Sequence, residues 1–251
     1  MSEKKVPQKN NSRHPFQMLQ NELAKLIAKT PDGGRLPPEP ELARMLGVSR
    51  ATLREGMRSF EGQGLLRRRQ GIGTFVVSQA KVIESGLEVL ESIERLANRI
   101  DLGVSMGELE IKEIIARVEE AEKLQVDEGT RLINISRVIY AESRPVAYLT
   151  DIVPPHILTE DDLQNGFTGS VLDFLLSNNK MKLDKSFTDI QAVAAPSAIA
   201  KKLEIQRGDV LLFFSARLYS DDGKIVDFSN SYFLPGYFRF HVVRRVPNYE
   251  Y

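Results

Sequence analysis

The chain has 251 residues, of which 42% are hydrophobic and 27% charged, and equal numbers of acidic and basic residues give a formal net charge of zero. This length favours two domains, and the composition is that of a globular protein. The absence of cysteine excludes disulfides and thiolate sites, and only three histidines are present. No apolar run is long enough for a signal peptide or a membrane span, so we expect a cytoplasmic protein without metal or cofactor.

The zero net charge conceals an uneven distribution along the chain. Residues 1–78 contain 14 lysines and arginines against 7 acidic residues, a balance of +7, so the other residues carry −7. A basic segment indicates nucleic-acid binding, because cations that neutralise phosphates release counterions. A solvated basic surface is the alternative explanation at this stage.

Three short helices are predicted in the first sixty-odd residues. Apolar residues recur at helical spacing from Phe16 to Ala28, and the turn TPDGG follows. The run LPPEPELARMLG predicts a second helix that ends at Gly47. Ser49 then stands where an N-cap belongs, and a turn with Gly47 between two short helices is typical of a helix-turn-helix.

The third predicted helix begins with basic and hydroxyl side chains. In a helix-turn-helix the first residues of the second helix meet the base edges, so Arg50 and Thr52 are predicted to read bases and Arg54 to bind phosphate. The alternative is a solvated arginine stripe that pairs with Glu55 or Glu61. The order of the following elements favours the DNA-binding interpretation.

Residues 64–77, GLLRRRQGIGTFVV, predict a basic β-hairpin. Leu65-Leu66 and residues 74–77 are expected as its strands, with the three arginines and the segment 70–73 at its tip. Glycines let the backbone approach a sugar-phosphate wall, and Arg68 is expected to contact phosphate or enter a minor groove. GIG alone marks any hairpin, whereas two helices, a turn, a basic helix and a basic hairpin in this order are far more specific.

The run LPPEPELARMLGVSRATLREGMRSFEGQGLLRRRQGIGTFV resembles the winged helix of the GntR family of bacterial transcription factors, whose usual pattern reads LPSER-EL, VSR-TVR and G-G-FV. The resemblance implies that the arginines and threonine of VSRATLR bind the operator. The family commonly has arginine where this chain has Pro40, and we expect other arginines to compensate. The predicted DNA-binding residues are Arg35, Arg44, Ser49, Arg50, Thr52, Arg54, Arg68, Gln70, Gly71 and Gly73.

The remainder of the chain contains an internal repeat with a shift of 79 residues. AEKLQVDEGTRLINISRVIY, residues 121–140, shares seven identities with AKKLEIQRGDVLLFFSARLY, residues 200–219. Each copy reads as a helix end, a glycine turn and an alternating strand, followed by a second turn and strand. Two copies predict an α+β domain with an antiparallel sheet and a pseudo-twofold repeat, with Ser170 capping a helix between the copies.

This arrangement resembles the UTRA effector domain of the HutC subfamily of GntR regulators over about residues 110–245. The resemblance implies a small molecule held by Arg137, Ser170 and Asp227, with Tyr148 and Tyr232 as walls. Sugar-phosphate binders in this family tend to have two arginines on the first strand; this chain has one, so we expect a carboxylate or a weakly charged metabolite. A salt-bridged Arg137, a plain N-cap at Ser170 and a hydrogen-bonded Asp227 remain structural alternatives.

The predicted organisation has four parts. We expect a flexible N-terminus at 1–14, the winged helix at 15–78, a linker with a connecting helix at 79–109, and an effector-binding and dimerisation domain at 110–251. The connecting helix rests on apolar residues at roughly helical spacing between residues 80 and 100. It either packs on its own domain or contacts a second subunit.

These features predict a one-component transcription factor, most often a repressor in this family. It is expected to bind a near-palindromic operator as a homodimer and to respond to a small-molecule effector. An enzyme with an accessory DNA-binding head is one alternative, since the UTRA fold is similar to that of a small lyase; no nucleophile-base pair or cofactor loop in the sequence supports it. An architectural DNA-binding protein with a purely structural dimer domain is the other.

Overall fold

The computed structural model describes residues 15–69, 71–77, 82–159, 162, 167, 169–177 and 181–244. The chain divides into two compact units, Met1–Ser78 and Gln79–Tyr251, and each has its own hydrophobic core. The predicted flexible segment 1–14 and the predicted site residue Gln70 lie outside the described residues. Within the described residues, no helix has the length and apolar character needed to cross a membrane.

The first unit is built on three helices, as the sequence predicts. They are α1 (Pro15–Lys29), α2 (Glu39–Met45) and α3 (Arg50–Gly62). Pro38 precedes α2 with extended backbone, and the turn before α3 passes through Gly47 at a φ of 65°. The apolar faces of the three helices meet in one core, whose fully buried members include Leu23, Leu42 and Leu53.

A hairpin completes this unit. Its strands β1 (Leu66–Arg69) and β2 (Gly73–Val76) pair antiparallel, with Leu66 opposite Val76. The arginines at 67–69 therefore lie on β1 and not at the tip, which corrects the prediction. The core decides this placement, because buried Leu66 and Val76 fix the register at the base of the hairpin and the strand continues along the arginines.

The second unit begins with the short strand β3 (Ile83–Gly86) and contains a six-stranded antiparallel sheet. Its first three strands along the chain are β4 (Val104–Ile115), β5 (Arg131–Ala141) and β6 (Arg144–Val153). The other three are β7 (Leu183–Ala194), β8 (Val210–Ser220) and β9 (Ile225–Phe233). Across the sheet the order is β4-β5-β6-β9-β8-β7. The halves meet where β6 pairs with β9, so the sheet has the pseudo-twofold arrangement that the internal repeat predicts.

Each half of the sheet follows the same order of elements. Helix α5 (Val118–Leu124) lies between β4 and β5, and α7 (Ser197–Lys202) lies between β7 and β8. Helix α6 (Val171–Ser177) stands between the halves and begins after Ser170, as predicted. The structural repeat therefore includes a leading strand, β4 or β7, in which the two sequences have diverged too far for the alignment to reach.

The segment before β4 differs from the single connecting helix that was predicted. Residues Ile83–Gly86 form strand β3, and only Ile93–Arg99 are helical, in α4. Strand β3 pairs in parallel with β10 (Phe238–His241), and Ile83 and Leu96 are buried in the core of this unit. Pairing with a strand some 150 residues away overrides the local helical spacing, which is why the sequence pattern misled.

The two faces of the sheet are covered by different elements. Helices α5 and α7 pack on one face, where Leu132 and Leu211 are fully buried. Helices α4 and α6, with β3 and β10, cover the other face around Ile135 and Leu149. This second face is where a cavity opens between the sheet and its covering segments.

Candidate nucleic-acid interface and ligand cavity

The N-terminus of α3 presents three polar side chains together. The hydroxyl of Ser49 accepts a hydrogen bond from the backbone N–H of Thr52 at 3.1 Å and lies 2.8 Å from the Thr52 hydroxyl. This cap fixes the first turn, so Arg50, Thr52 and Arg54 are all exposed along it. Ser49 thus has a structural role in holding the turn, whatever it contacts outside the chain.

The carboxylate of Glu39 on α2 forms ion pairs with the arginines of this surface. It lies 2.8 Å from Nε of Arg54, 2.5 Å from a terminal nitrogen of Arg68 on β1 and 3.8 Å from one of Arg50. The glutamate side chain is only 14% exposed. Three elements that are separate in sequence are therefore joined into one basic surface, which we call the arginine surface (Arg50, Arg54 and Arg68).

Sequence reasoning missed the role of Glu39. It offered Glu55 and Glu61 as partners of the stripe Arg50, Arg54 and Arg58. Glu55 does bind Arg58 at 3.1 Å, whereas Arg54 binds Glu39. The sequence shows only that Glu39 lies in the first turn of α2, where an acidic side chain is favourable to the helix dipole. Only the fold places it against β1 as well.

Arg35 belongs to the hairpin side of the interface. It is paired with Phe75 of β2 in an isolated bridge, and Nε of its guanidinium would lie 2.5 Å from a Cβ added at Gly73. Gly73 has a φ of 142° and Gly71 a φ of 75°, which L-residues with side chains rarely adopt. Arg44 is exposed in the last turn of α2 and is not part of the arginine surface.

Exposed guanidinium groups at a helix N-terminus beside a glycine-containing hairpin can perform two tasks. A helix of this diameter enters a major groove, where arginine hydrogen-bonds base edges, and arginines on neighbouring elements neutralise phosphates. Pro40 is exposed in the first turn of α2, so that position offers the interface no cation. The geometry is that of a winged helix-turn-helix with its charge concentrated on α3 and β1.

The second unit contains a cavity of about 560 Å³ on the sheet face covered by α4 and α6. Its lining includes Arg137 of β5, Asp151 of β6, Asp227 of β9 and Ser170 before α6. Arg137, Asp151 and Asp227 lie on three consecutive strands of the sheet. Asp151 is opposite Ile135 and Ser229, which are each two residues from Arg137 and Asp227, so all three side chains are on the same face. The structure thus brings Arg137, Ser170 and Asp227 together, as predicted from the resemblance.

Arg137 and Asp151 form a buried ion pair in the cavity wall. Arg137 is 4% exposed, Asp151 is 7% exposed, and a terminal nitrogen of the guanidinium donates to the carboxylate. Nε of Arg137 is buried without a hydrogen-bond partner among the described residues, and the guanidinium lies 5.9 Å from the ring of Phe167. Sequence reasoning missed Asp151. In the pairing of β5 with β6, Leu149 lies opposite Arg137, and Asp151 is two residues further along β6 and therefore on the same face of the sheet.

Asp227 is buried beside this ion pair. Burial raises the pKa of its carboxyl well above the ordinary value, and the neighbouring Asp151 carboxylate raises it further, while Arg137 opposes both effects. Oδ1 of Asp227 has no hydrogen-bond partner among the described residues. A buried polar atom without a partner is costly, so a ligand that supplies a donor to Asp227 would bind favourably.

Ser170 both caps α6 and connects it to α4. Its hydroxyl accepts a hydrogen bond from the backbone N–H of Asp173 at 3.0 Å, which confirms the predicted N-cap. The carboxylate of Asp173 in turn accepts from the hydroxyl of Ser92 at 2.5 Å, and Arg95 lies 2.7 Å from it. Since Ser92 caps α4, the first turns of both helices are joined at the edge of the cavity.

Tyr148 and Tyr232 lie on the opposite face of the sheet, so the expectation that they wall the same site is corrected. Successive side chains of a strand alternate between faces, and Tyr148 directly precedes cavity-lining Leu149. The two tyrosines sit opposite each other in the β6–β9 pairing and pack in the core beneath α7. Burial raises the pKa of the Tyr232 hydroxyl.

Comparison with known families matches both units. Residues 17–76 match the gntR family of bacterial regulatory proteins, and residues 104–239, more than half of the chain, match the UTRA domain. The chain belongs to the GntR family and carries a UTRA domain. The fold class predicted from the sequence, a winged helix-turn-helix followed by an α+β UTRA domain, is confirmed. As a GntR/UTRA protein it is a transcriptional regulator and not an enzyme.

Relatives in the curated proteins share this organisation. The chain is 29% identical over 197 residues to the histidine utilization repressor of Pseudomonas aeruginosa, covering 76% of this chain and 74% of the relative. It is 27% identical over 213 residues to the mannosyl-D-glycerate transport/metabolism system repressor MngR of Escherichia coli, covering 84% and 87%. Among solved structures, PhnF from Mycobacterium smegmatis has the same fold, with a TM-score of 0.62 at 20% identity over 91% of this chain and all of that one.

Proposed function

We propose that this GntR/UTRA regulator is a repressor that binds a palindromic operator as a homodimer and releases it when a small molecule fills the cavity of the UTRA domain. The observation that carries the proposal is the presence, in one chain, of the arginine surface and of a cavity whose lining includes buried polar atoms without a hydrogen-bond partner among the described residues. Relatives that are named repressors support the sign of regulation. DNA and an effector are thus two ligands of separate units.

On the DNA side, α3 enters the major groove. Arg50 and Thr52 read base edges from its first turn, and Arg54 and Arg68 bind phosphates. The remaining proposed contacts support these: Ser49, Arg44, Arg35 beside β2, the glycines Gly71 and Gly73, and Gln70, which lies outside the described residues. Homodimerisation follows from operator recognition, because two copies of a short reading helix address two half-sites about one DNA turn apart.

On the effector side, Arg137, Ser170 and Asp227 hold the ligand with Asp151 as a fourth member. The effector changes DNA affinity only through a difference in its own affinity for the DNA-bound and released conformations. The junction of Ser92, Asp173 and Ser170 offers a mechanical route, because a ligand at Ser170 contacts the first turn of α6 and thereby α4. Along the chain, β3 and α4 are the first described elements after the winged helix.

Selection of bound fragments from random DNA tests the DNA side of the proposal. Arg50→Ala is expected to weaken binding to the selected operator by roughly tenfold or more and to relax base preference at one position of each half-site, because a base contact contributes about 1–3 kcal/mol. Arg68→Ala is expected to weaken all sequences alike and to lower the salt dependence. Lys29→Ala, which removes one exposed cation at the end of α1, is the matched control. Base preference unchanged in Arg50→Ala would defeat the assignment of α3 as the reading helix.

Cavity filling tests the effector side. Ser229 lines the cavity from β9, and Ser229→Leu places three more carbon atoms there. This variant is expected to bind the operator like the parent chain and to lose its response to any metabolite that releases the parent from DNA. The measurement is fluorescence anisotropy of labelled operator during titration with the metabolite. An unchanged response would show that the effector binds elsewhere.

A further inference from the structure

The charges that line the UTRA cavity are predominantly acidic. Basic side chains among the described lining residues are Arg137 and Lys185. Six acidic side chains face them: Glu88, Glu91, Glu94, Asp151, Asp184 and Asp227. The single arginine on the first strand predicted a carboxylate or a weakly charged metabolite as effector, whereas the side chains that line the cavity carry an excess of negative charge.

Most of these acidic groups already have partners. Asp151 pairs with Arg137, Glu91 pairs with Arg99, and Asp184 lies 3.2 Å from Lys185. The carboxylate of Glu88 accepts the backbone N–H of Val243. The two remaining carboxyls, those of Glu94 and Asp227, have no basic partner within ion-pair distance among the described residues.

Glu94 and Asp227 approach the same ion pair from different elements. Glu94 extends from the first turn of α4, and burial raises the pKa of its carboxyl, with Arg137, Asp173 and Asp151 close enough to contribute. Asp227 extends from β9, buried against Asp151 and Arg137. Two largely buried carboxyl groups, which have no cationic partner among the described residues, flank the Arg137–Asp151 ion pair, and burying carboxyls in this way is costly.

Two unpartnered atoms define what a ligand must offer. Oδ1 of Asp227 is an acceptor and requires a donor, whereas Nε of Arg137 is a donor and requires an acceptor. We propose that the effector is a small molecule with a protonated amine, which binds the carboxyls of Asp227 and Glu94, and with an oxygen acceptor within a few ångströms for Nε of Arg137. This inference rests on the proposed function and specifies the chemical class of its ligand.

An ammonium group satisfies the cavity better than a phosphate would. Its N–H donors meet two carboxyls in a low-dielectric site, where charge-assisted hydrogen bonds are strongest. A phosphate would bring two negative charges toward Glu94, Asp151 and Asp227, with one guanidinium already engaged by Asp151. Electrostatic repulsion of this kind excludes wrong ligands, so the same residues select for cations and against dianions.

The test uses the full chain and matched probes that differ in one group. The probes are ω-amino acids from β-alanine to 6-aminohexanoate, their N-acetyl derivatives, the dicarboxylates of equal length, and inorganic phosphate. We expect at least one amino acid to raise the melting temperature saturably, and its N-acetyl derivative to bind about tenfold more weakly, since a charge-assisted hydrogen bond is lost. Dicarboxylates and phosphate are expected not to bind in the cavity.

Variants identify the groups that bind the amine. Glu94→Gln is expected to reduce the affinity for the bound amino acid about tenfold, because one charge-assisted hydrogen bond becomes neutral. Asp189→Asn is the matched control: Asp189 is exposed on β7 between cavity-lining Thr188 and Ile190, so its side chain points to the other face of the sheet. An equal loss of affinity in both variants would show that the effect comes from the net charge of the chain, and it would overturn the amine site.

Proton linkage provides a second readout. A bound cation favours the charged form of Asp227 and Glu94, so binding releases protons and affinity rises with pH across the range where these carboxyls titrate in the free protein. Arg137 of β5, Asp151 of β6 and Asp173 of α6 are the charged groups that act on these two carboxyls. The other charged side chains that line the cavity, among the described residues, are Glu88, Glu91, Asp184 and Lys185. Calorimetry in buffers of different ionisation enthalpy is expected to show proton release that falls in Asp227→Asn; proton uptake or none would overturn the inference.

The outcomes separate this inference from the function on which it rests. An anion that binds in the cavity and releases the operator, while no amine binds, would overturn the amine assignment and support effector control. If no probe changes the affinity for the operator, and Ser229→Leu leaves the release of the operator by metabolites unchanged, then effector control from this cavity is wrong. Amine binding that survives Glu94→Gln and Asp227→Asn together would also overturn the assignment.

Discussion

Glu39 lies at the centre of the arginine surface although it contributes no positive charge. Its carboxylate fixes side chains from α3 and β1 in one geometry, with Arg54 and Arg68 in direct contact. Arginine side chains have many rotamers, so holding them in place before DNA arrives reduces the conformational entropy lost on binding. We regard Glu39 as a positioning residue for the reading surface.

A comparison of specific and random DNA tests the role of Glu39. Glu39→Gln removes a negative charge near phosphate, so binding to random DNA is expected to strengthen or stay constant, while operator binding weakens. The ratio of operator to random affinity is expected to fall about tenfold, the equivalent of about 1.4 kcal/mol. Glu41→Gln, two residues along the same helix and exposed, is the control. An unchanged ratio in Glu39→Gln would mean that the arginines need no such anchor.

Asp227 makes stability depend on pH in a defined direction. Because burial raises the pKa of its carboxyl in the folded chain, its stabilising contribution is complete below the pKa of an unfolded aspartate and is lost as pH rises toward the folded value. Asparagine has nearly the same shape, keeps a hydrogen-bond donor for Asp151 and never ionises. Asp227→Asn is therefore expected to be more stable than the parent chain at neutral pH and not at acidic pH.

Thermal unfolding across pH measures this effect. The expected gain at pH 7 is a rise of about 2–4 °C in melting temperature, the scale of about 1 kcal/mol in a chain of this size. Near pH 4 the two proteins are expected to unfold at similar temperatures. A gain that is constant with pH would point to packing and not to the carboxyl charge.

At the scale of elements, the hairpin depends on Gly73 for its approach to Arg35. A φ of 142° is unfavourable for any side chain, and an added Cβ would displace the guanidinium of Arg35. Gly73→Ala is expected to destabilise the first unit by about 1–3 kcal/mol and to weaken DNA binding. Gly62→Ala is the matched control, since it ends α3 with ordinary φ and open space, and alanine there is expected to be neutral or slightly stabilising.

Circular dichroism during urea unfolding and operator titration measure both effects. Loss of operator affinity in Gly73→Ala with unchanged stability would separate hairpin geometry from folding. Equal behaviour of the two alanine variants would show that the hairpin tolerates a side chain next to Arg35.

Elements with local signals were predicted well, and those defined by distant pairing were not. Ser49 and Ser170 are caps because a serine hydroxyl satisfies a free N–H of the same helix, which a sequence reveals. Residues 83–86 form a strand because β10 pairs with them, and no local pattern contains that partner. Asp151 was missed for the same reason, because its role depends on the ion pair with Arg137 on the neighbouring strand.

At the scale of the whole molecule, each hydrophobic cluster belongs to one unit. The cluster around Leu23 and Leu53 lies within Met1–Ser78, and the clusters around the sheet lie within Gln79–Tyr251. A fragment of residues 79–251 is therefore expected to fold alone and to bind the effector with the affinity of the full chain. The measurements are the cooperativity of unfolding of the fragment and its calorimetric titration with the effector. An unfolded fragment would show that the second unit needs the first for its stability.

The sequence by itself determined the family, the helices and hairpin of the first unit, and the repeated halves of the sheet in the second. These depend on short-range features: helical spacing, caps, glycine turns and the internal repeat. The tertiary structure decided which side chains share a site. Strand pairing placed Asp151 and Asp227 around Arg137 and turned Tyr148 to the other face, and the packing of α2 against α3 and β1 gave the arginines one common carboxylate. Such groupings arise from contacts between distant residues, and those contacts set the charge of the cavity and the geometry of the arginine surface.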